Sequence, residues 1–384
     1  MSCRICGDAA ETVLDLGTMP LANTLCKTRD EKAEEYPLVM ERCSCGNFQL
    51  KDALPPELVF GGYAYRTPKS PMLDKHYAML REILQNRGYL DRNTRVLEIG
   101  SNTGHLLAAW KPYVKEVLGV EPSGPIAAEA ILSGVPTVAG FFGEENLGRF
   151  DLVVARHVLA HNPDPYTMLR AALEAMEPNG VLLIENAYAL AMFEHIDFDQ
   201  VYHEHAFYYT IASLHRALSA VGLSIVYLRE VDIHGGSLLV LACRNGTPFP
   251  LLGHLESERV ALQGGIVQEF ARSVDTITSD LWDAITRYDT VYAYGATAKG
   301  TTLLNSSQLT WQDIPYCADG TESKQGMFLP KAGVEIVSEE WALQHPPDAF
   351  LLTAWNYQDE IIAKVRAVLP DMKFIVPIPH VSVR

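Results

Sequence analysis

The chain has 384 residues, more than one hydrophobic core usually supports, so two or three domains are expected. Its 31 Lys and Arg residues are outnumbered by 47 Asp and Glu, and the net charge of −16 argues against a general nucleic-acid-binding protein, whose phosphate contacts need a basic face. No apolar run approaches the roughly 20 residues of a membrane span and no signal-peptide segment opens the chain, so we expect a soluble, cytoplasmic protein without a membrane partner.

The first predicted unit, residues 1–75, consists of short strands and turns and holds five of the seven cysteines. In a reducing compartment this clustering indicates a metal site rather than disulfides, and four thiolates around Zn²⁺ would stabilise a segment with little core of its own. The ligands we predict for a structural zinc ion are Cys3, Cys6, Cys43 and Cys45. Cys26 stays the alternative fourth ligand, because the second pair is one residue short of the usual C-x-x-C spacing.

The second predicted unit, residues 76–250, alternates strands with helices. After a helix at about 76–92, an apolar strand at 95–99 ends in a tight turn, Gly100-Ser-Asn-Thr-Gly104, that opens a helix. Further apolar strands at 117–120, 150–155 and 180–185 follow at helix-sized intervals. This alternation predicts an α/β fold with a parallel, doubly wound sheet.

The glycine turn of this unit indicates which cofactor is bound. A dinucleotide fold uses G-x-G-x-x-G, whose middle glycine lets the pyrophosphate approach, and that glycine is absent between Gly100 and Gly104. Glu98, just before the turn, suits an ammonium group, and Glu121, at the end of the second strand, can accept both ribose hydroxyls. These features favour S-adenosylmethionine, which carries an amine and a ribose but no phosphate, over NAD.

The predicted cofactor-binding residues cluster around this turn and the ends of the following strands. They are Glu98, Gly100, Asn102, Gly104, His105, Glu121, Pro122, Phe142, Arg156 and His157.

Residues 202–205, Tyr-His-Glu-His, place a phenol, two imidazoles and a carboxylate in consecutive positions. His203 and His205 are two residues apart, whereas a zinc-protease helix needs H-E-x-x-H to bring both imidazoles to one face. We therefore interpret the segment as a proton-transfer site, the alternative being a histidine pair with a structural role. Its position after the fourth strand puts it at the carboxyl edge of the sheet, where such folds bind ligands.

The third predicted unit, residues 251–384, follows a polar helical stretch and begins with a second strand and glycine turn, Gly295-Ala-Thr-Ala-Lys299-Gly300. The two glycine turns indicate two nucleotide-type folds in tandem. Lys299 suits a substrate diphosphate or another acidic group, the alternative being a solvated lysine at a helix start. The substrate-binding residues that we predict are Asn186, Gly295, Lys299 and Thr301.

Motifs along nearly the whole chain resemble those of the three-domain sugar C-methyltransferases, which act on nucleotide-linked ketodeoxysugars in antibiotic and surface-polysaccharide pathways. The matching segments are Cys3–Cys6, Leu16-Gly17, Pro20-Leu-Ala-Asn23, Tyr63-Ala-Tyr65-Arg66, 98–104, Ala160-His161, 202–205, His234-Gly-Gly-Ser237, 294–300 and Trp355-Asn356. The resemblance implies an N-terminal zinc-binding domain, a central class I methyltransferase fold and a Rossmann-like C-terminal domain.

The resemblance also implies a role for each site residue. His205 would remove a proton from the carbon next to a ketone, with Tyr202 and Glu204 placing the sugar. The resulting enolate would attack the methyl group of S-adenosylmethionine. His161 and either Tyr63 or Tyr65 would hold the enolate oxygen, with Tyr65 favoured. Such donors are needed because imidazole alone is too weak a base for a carbon acid.

Two departures from the family pattern are the Cys43-Ser-Cys45 pair and His157, where Asn is common. Methylation of oxygen or nitrogen on another small acceptor would use the same fold and cofactor and stays an alternative, as does, more remotely, an NAD-dependent oxidoreductase. The sequence leaves open the sugar, its nucleotide, the methylated carbon, and whether the protein is a monomer or a homodimer.

Overall fold

The structure is a computed structural model that describes residues 2–60, 66–67 and 70–384. The strands are β1 (Ala10–Pro20), β2 (Glu35–Cys43), β3 (Phe48–Leu50), β4 (Arg95–Ile99), β5 (Glu116–Glu121), β6 (Thr137–Ala139), β7 (Phe150–Arg156), β8 (Met176–Ala187), β9 (Phe207–Tyr208), β10 (Ser224–Val231), β11 (Ser237–Cys243), β12 (Val291–Tyr294), β13 (Tyr316–Ala318), β14 (Glu335–Val337), β15 (Ala349–Leu352), β16 (Lys373–Val376) and β17 (Ser382–Val383).

The α-helices are α1 (Pro56–Phe60), α2 (Pro71–Asn86), α3 (His105–Trp110), α4 (Gly124–Leu132), α5 (Pro165–Glu174), α6 (Ala189–Glu194), α7 (Ile211–Ala220), α8 (Leu252–Gln263), α9 (Ile266–Ile285), α10 (Ala298–Ser306), α11 (Glu339–Gln344) and α12 (Gln358–Arg366). No helix in the described ranges is both long and apolar enough to cross a membrane.

The central sheet has seven strands in the order β10-β11-β8-β7-β4-β5-β6. From β8 to β6 all neighbours are parallel, whereas β11 is antiparallel to both β8 and β10. The predicted parallel, doubly wound sheet is confirmed, and its carboxyl ends meet at one edge.

The strands of this sheet are apolar on both faces because both are covered by helices. On one face Val96 and Leu152 pack with Leu80 of α2 and Trp110 of α3. On the other, Val153 and Ile184 belong to a core that includes Leu169 of α5 and Leu214 of α7.

The N-terminal sheet, in the order β1-β2-β3-β9, takes its last strand from the middle of the chain. Tyr208 of β9 pairs with Phe48 of β3, only three residues after His205. The Tyr-His-Glu-His segment is therefore fixed to the cysteine-containing unit as well as to the central one.

The C-terminal sheet has the order β14-β13-β12-β15-β16-β17 and is parallel except for β17. A second Rossmann-like unit is thus confirmed. The apolar stripe of α9, which includes Phe270 and Leu281, packs in one core with both this sheet and Leu38 of the N-terminal sheet. The predicted unit boundaries stay predictions: α2 crosses the first, and α8 begins at Leu252, next to the second.

Candidate active site

A cavity of about 540 Å³ lies at the carboxyl edge of the central sheet. Residues from all three units line it, among them Asn23, Glu98 and Lys299. Its volume is in the range of small-molecule sites, and its position is where doubly wound sheets bind their ligands.

The first glycine turn has the conformation that the sequence requires of it. Gly100 has φ +65°, and a Cβ there would lie 2.3 Å from Cγ1 of Val158. Gly104 has φ +74° at the start of α3 and packs against Val135, so it supports the turn and is not among the described residues that line the cavity.

Glu121, the residue predicted to bind the ribose, lies in the cavity wall at the end of β5. Its two carboxylate oxygens accept hydrogen bonds from the backbone N–H groups of Asn102 (3.0 Å) and Ser123 (2.9 Å). Burial raises the pKa of Glu121, and these two bonds oppose the rise. Each oxygen retains a lone pair, so the fixed carboxylate can still accept from a ligand hydroxyl.

Glu98 is a buried residue whose carboxylate lines the cavity and has few partners to offset the loss of hydration. Its Oε1 lies 3.9 Å from Nη1 of Arg156, and its Oε2 has no hydrogen-bond partner among the described residues. Burial raises the pKa of Glu98 to about 8; Arg156 lowers it, and the nearby Glu121 raises it further. A ligand ammonium group would supply the missing partner.

Arg156 and His157 line the cavity, and both contact the buried carboxylate of Glu185, a residue that is not among the predicted site residues. Its side chain lies 3.2 Å from Nε of Arg156, 3.1 Å from Nε2 of His157 and 2.6 Å from Nε2 of His76. Burial alone would raise the pKa of Glu185, but Arg156, His157 and His76 outweigh it and hold the pKa well below its usual range. This network fixes the part of the cavity wall that Arg156 and His157 form.

The remaining predicted cofactor residues also lie at the cavity. Asn102, Pro122 and Phe142 line it, as does His105, whose Nε2 lies 2.9 Å from Oδ1 of Asp74. Asn102 adopts a left-handed backbone (φ +49°) and its side-chain oxygen accepts from the N–H of Thr67.

His205 is buried at the cavity with both ring nitrogens engaged. Nδ1 lies 2.8 Å from the carbonyl oxygen of Gln200, and Nε2 lies 3.0 Å from the hydroxyl oxygen of Tyr202. Because a carbonyl only accepts, Nδ1 carries the hydrogen and Nε2 has the basic lone pair. Burial lowers the pKa of His205 to about 4, with His157 and Lys299 adding to the effect. The ring is therefore neutral at neutral pH and able to accept a proton.

His161 lies beside this base. Its ring stacks with those of Phe60 and His205, with centroid distances of 5.4 and 5.1 Å. Burial lowers the pKa of His161 well below its usual range, and His205 and His157 contribute. A neutral His161 has one N–H to offer a ligand. The two tyrosines predicted to assist it, Tyr63 and Tyr65, lie outside the described residues.

Tyr202 lines the cavity beside His205, whereas His203 and Glu204 are not among the described residues that line it. Glu204 is buried and accepts a 2.8 Å hydrogen bond from Nδ2 of Asn23. His203 reaches the N-terminal sheet, with Nε2 3.2 Å from the carbonyl oxygen of Tyr36. The latter contact agrees with a structural role for His203.

Lys299 lies where the C-terminal unit meets the cavity. Its Nζ is 4.0 Å from Oδ1 of Asp199 and 4.6 Å from the ring centre of Trp355, whose indole N–H donates to Asp199. No described residue accepts a hydrogen bond from Nζ. Asn186 also lines the cavity, and both polar atoms of its buried amide lack described partners. Both side chains thus have hydrogen-bonding capacity for a ligand.

Gly295 and Thr301 are not among the described residues that line the cavity, which departs from the prediction. Gly295 (φ +104°) allows a close approach to Ala354, to which a Cβ would come within 2.5 Å. Thr301 donates from Oγ1 to the carbonyl oxygen of Ala22, so it joins α10 to the N-terminal unit.

The second glycine turn repeats the geometry of the first, with one difference. Asp319, at the end of β13, accepts from the N–H groups of Ala296 and Thr321, as Glu121 does from its own turn. Here Nζ of Lys324 donates to the carbonyl oxygen of Ala296 and lies 3.9 Å from Asp319. A cation of the chain thus lies next to the carboxylate of the second turn.

The sulfur atoms of Cys3, Cys6, Cys43 and Cys45 all lie within 4.8 Å of one another. Tetrahedral Zn–S bonds of about 2.3 Å place sulfurs about 3.8 Å apart, and the Cys3–Cys45 pair is at 3.7 Å. The donor set therefore fits a structural zinc ion. Cys26 is elsewhere, with its sulfur 3.8 Å from the carbonyl oxygen of Glu31, so the C-x-C pair completes the cluster.

Several described lining residues were not assigned from the sequence. They are Asn23, Phe60, Gln200, Tyr208, His234 and Lys324. Asn23 and His234 belong to motifs noted in the sequence, which was a usable signal. Tyr208 carries a buried hydroxyl without a described partner, and its ring lies edge-on to His205 at 6.2 Å.

Three family models match consecutive parts of the chain. They are described as "Putative zinc binding domain" (residues 3–60), "Methyltransferase domain" (73–228) and "C-methyltransferase C-terminal domain" (232–379). Together they follow the order of the three units.

Among curated proteins, the chain is 32% identical to the C-methyltransferase NovU of Streptomyces niveus over 401 residues, which covers 98% of this chain and 95% of that protein. It is 32% identical to the methyltransferase str3 of Strobilurus tenacellus over 118 residues, or 28% of this chain and 40% of that protein.

Solved structures similar to part of the chain include an S-adenosylmethionine-dependent methyltransferase from Clostridium acetobutylicum (TM-score 0.38, 14% identity, 50% of this chain and 96% of that one). Another is magnesium protoporphyrin IX methyltransferase from Synechocystis PCC 6803 (TM-score 0.39, 14% identity, 51% and 100%).

Proposed function

The chain belongs to the C-methyltransferase family, and we propose that it methylates the carbon next to a ketone in a nucleotide-linked ketodeoxysugar. It is a methyltransferase that depends on S-adenosylmethionine. What the proposal adds is the class of acceptor and the carbanion route. The observation that carries it is that one cavity holds both a neutral histidine base, His205, and an ammonium group, that of Lys299, which has no hydrogen-bond acceptor among the described residues.

The base of the proposed reaction is Nε2 of His205. Before the acceptor binds, the hydroxyl of Tyr202 donates a hydrogen bond to the lone pair of Nε2. When the acceptor binds, its C–H group replaces the Tyr202 hydroxyl at this lone pair. The C–H bond then breaks, the proton passes to Nε2, and the electron pair moves to the ketone oxygen. When bound, S-adenosylmethionine supplies the electrophilic methyl group, which forms the new C–C bond as its bond to sulfur breaks. Gln200 holds the imidazolium through Nδ1.

The enolate oxygen needs hydrogen-bond donors, because imidazole is a weak base for a carbon acid. His161 supports this role, since it is stacked on His205 and its burial keeps it neutral with one N–H available. Tyr63 or Tyr65 is proposed as the second donor, as the family resemblance implies.

The nucleotide end of the acceptor is proposed to lie toward the C-terminal unit. The chain carries a net charge of −16, so a diphosphate has to be met by local cations. Lys299 and Lys324 line that part of the cavity. The amide of Asn186 is proposed to hydrogen-bond a polar substituent of the sugar, because neither its oxygen nor its NH₂ group has a partner in the part of the chain that the structure describes.

Two measurements test the proposal. The protein is incubated with S-adenosylmethionine and ketodeoxysugars linked to dTDP, GDP or UDP, and a mass gain of one CH₂ on one of them is expected. The same sugar is then incubated in D₂O with S-adenosylhomocysteine in place of the methyl donor. Exchange of the hydrogen next to the ketone is expected only for carbanion chemistry.

A mass gain without hydrogen exchange, on an oxygen or nitrogen of the acceptor, would instead support the O- or N-methylation alternative. Neither glycine turn supports the NAD-dependent alternative. The first turn lacks the middle glycine, and in the second Nζ of Lys324 lies 3.9 Å from Asp319, the carboxylate that would have to accept the ribose hydroxyls.

A further inference from the structure

The loop after β1 brings one polar side chain of the N-terminal unit into the active-site cavity. Asn23 lines the cavity, and its Nδ2 donates a 2.8 Å hydrogen bond to Oε1 of Glu204. Glu204 is 2% exposed and lies behind Asn23, next to the base His205. The carboxylate therefore meets Asn23 rather than the cavity itself.

Asn23 is held from two sides. The carbonyl oxygen of the preceding residue, Ala22, accepts from Oγ1 of Thr301 in the C-terminal unit. The side chain of Asn23 is held by Glu204 in the central unit. A residue so fixed on both backbone and side chain loses little conformational entropy when it binds a ligand, which is the arrangement expected of a recognition group.

The bond to Glu204 also fixes which way the amide of Asn23 faces. Oε1 of Glu204 is the acceptor in this bond, so the NH₂ group must point toward it and Oδ1 must point away. No described residue donates to Oδ1 of Asn23. The carbonyl end of a fixed amide is thus left with unused acceptor capacity in a side chain that lines the cavity.

We propose that Asn23 recognises the methyl acceptor, its Oδ1 accepting a hydrogen bond from a hydroxyl or amino group near the reacting carbon. Glu204 is then a positioning residue that acts through Asn23. The inference rests on the proposed function in that the acceptor is a substituted sugar. A site built to bond such a group strongly rejects an analogue without it, because the site's own polar atom would be left unpaired.

The test measures binding to protein saturated with S-adenosylhomocysteine, so no turnover is required. The probes are the 4-keto-6-deoxyhexoses linked to dTDP, GDP and UDP, and the dissociation constant of whichever binds is determined by calorimetry. Asn23→Ala is expected to weaken binding about tenfold to a hundredfold, as the loss of a buried hydrogen bond does. Thr24→Ala, on the same loop but exposed, is the matched control and should bind as the unchanged protein does.

The role of Glu204 is tested by rescue and by a double-mutant cycle. Glu204→Gln keeps an oxygen that can accept from Nδ2 of Asn23, and it should bind the probe within about threefold of the unchanged protein. Glu204→Ala lacks that oxygen and should resemble Asn23→Ala. The double variant Asn23→Ala with Glu204→Ala should be no weaker than Asn23→Ala alone, because one residue acts through the other.

The outcomes separate the inference from the function on which it rests. If the unchanged protein binds none of the three probes, the proposed function fails. If a probe binds and Asn23→Ala matches Thr24→Ala, the recognition role of Asn23 is wrong. Additive losses, or a Glu204→Gln variant as weak as Glu204→Ala, would mean that Glu204 acts directly. Unchanged affinity for S-adenosylhomocysteine and unchanged zinc content show that each variant is folded.

Discussion

Nδ1 of His205 lies 2.8 Å from the carbonyl oxygen of Gln200. This bond determines the tautomer of a neutral imidazole, because the carbonyl can only accept, and so it directs the lone pair of Nε2 toward the hydroxyl of Tyr202. Burial keeps the ring neutral. The proposed base is therefore oriented and deprotonated before any acceptor arrives.

Replacing the base should stop chemistry without affecting the cofactor. His205→Ala is expected to lower the methyl-transfer rate by about 10²–10⁴-fold, the usual value of a general base, and to leave the dissociation constant of S-adenosylhomocysteine unchanged. The rate is measured on the acceptor that gains one CH₂. His203→Asn is the matched control, since His203 contacts the backbone of Tyr36. This variant should have a lower melting temperature but a methyl-transfer rate close to that of the unchanged protein. Retained turnover in His205→Ala would refute the assignment.

Cofactor binding should depend on pH through Glu98. Burial raises the pKa of this carboxyl to about 8 in the free protein, so it is mostly protonated at pH 6–7.5. An ammonium ligand favours the ionised form, so binding should release a proton and tighten as pH rises, by up to about tenfold per unit below pH 8. Calorimetric titrations of S-adenosylhomocysteine in buffers of different ionisation enthalpy measure the number of protons released on binding.

Glu98→Gln is the control for that titration, because its amide cannot ionise. It should bind more weakly and show a flatter pH dependence with less proton release. A wild-type affinity that does not change between pH 6 and 7.5 would contradict the proposed pairing of Glu98 with the amine.

The features that could be predicted from the sequence are those with a local signal. Apolar strands, the glycine turn and the acidic residues near the ends of β4 and β5 follow one another along the chain. Their spacing alone predicts that Glu98 and Glu121 share one site, and both line the cavity. The C-x-x-C pair of Cys3 and Cys6 carried a similar local signal.

What could not be predicted depends on contacts between distant residues. Strand β9 has two residues, too few for a periodic pattern, and exists because Tyr208 pairs with Phe48. One of the hydrogen bonds that hold Glu185 comes from His76, which is 109 residues away in the chain. Glu204 accepts a hydrogen bond from Asn23, 181 residues away, a contact for which the sequence has no local signal.

Zinc should be required for acceptor binding as well as for stability. Cys45→Ser is expected to lose the metal and to lower the melting temperature, because zinc binding is coupled to folding of small domains. Since this unit supplies Asn23 and pairs with β9 beside the base, acceptor binding should weaken more than S-adenosylhomocysteine binding. Metal content is measured by mass spectrometry of the purified protein.

Cys26→Ser is the matched control for the zinc site. Its sulfur contacts the carbonyl of Glu31 rather than the cluster, so one zinc ion per chain should remain. Zinc loss in Cys26→Ser together with retention in Cys45→Ser would reverse the assignment of the fourth ligand.

Gly100→Ala should lower the free energy of unfolding for two separable reasons. At φ +65° an L-residue is strained by about 1–2 kcal/mol, and its Cβ would lie 2.3 Å from Cγ1 of Val158. Gly88→Ala is the control for strain alone, because Gly88 has φ +73° and no atom within 4 Å of the added Cβ. Adding Val158→Ala to Gly100→Ala removes the clash. Measured against Val158→Ala alone, the double variant should lose about as much free energy of unfolding as Gly88→Ala does. If the double variant is no more stable than Gly100→Ala, the close approach to Val158 does not account for the glycine.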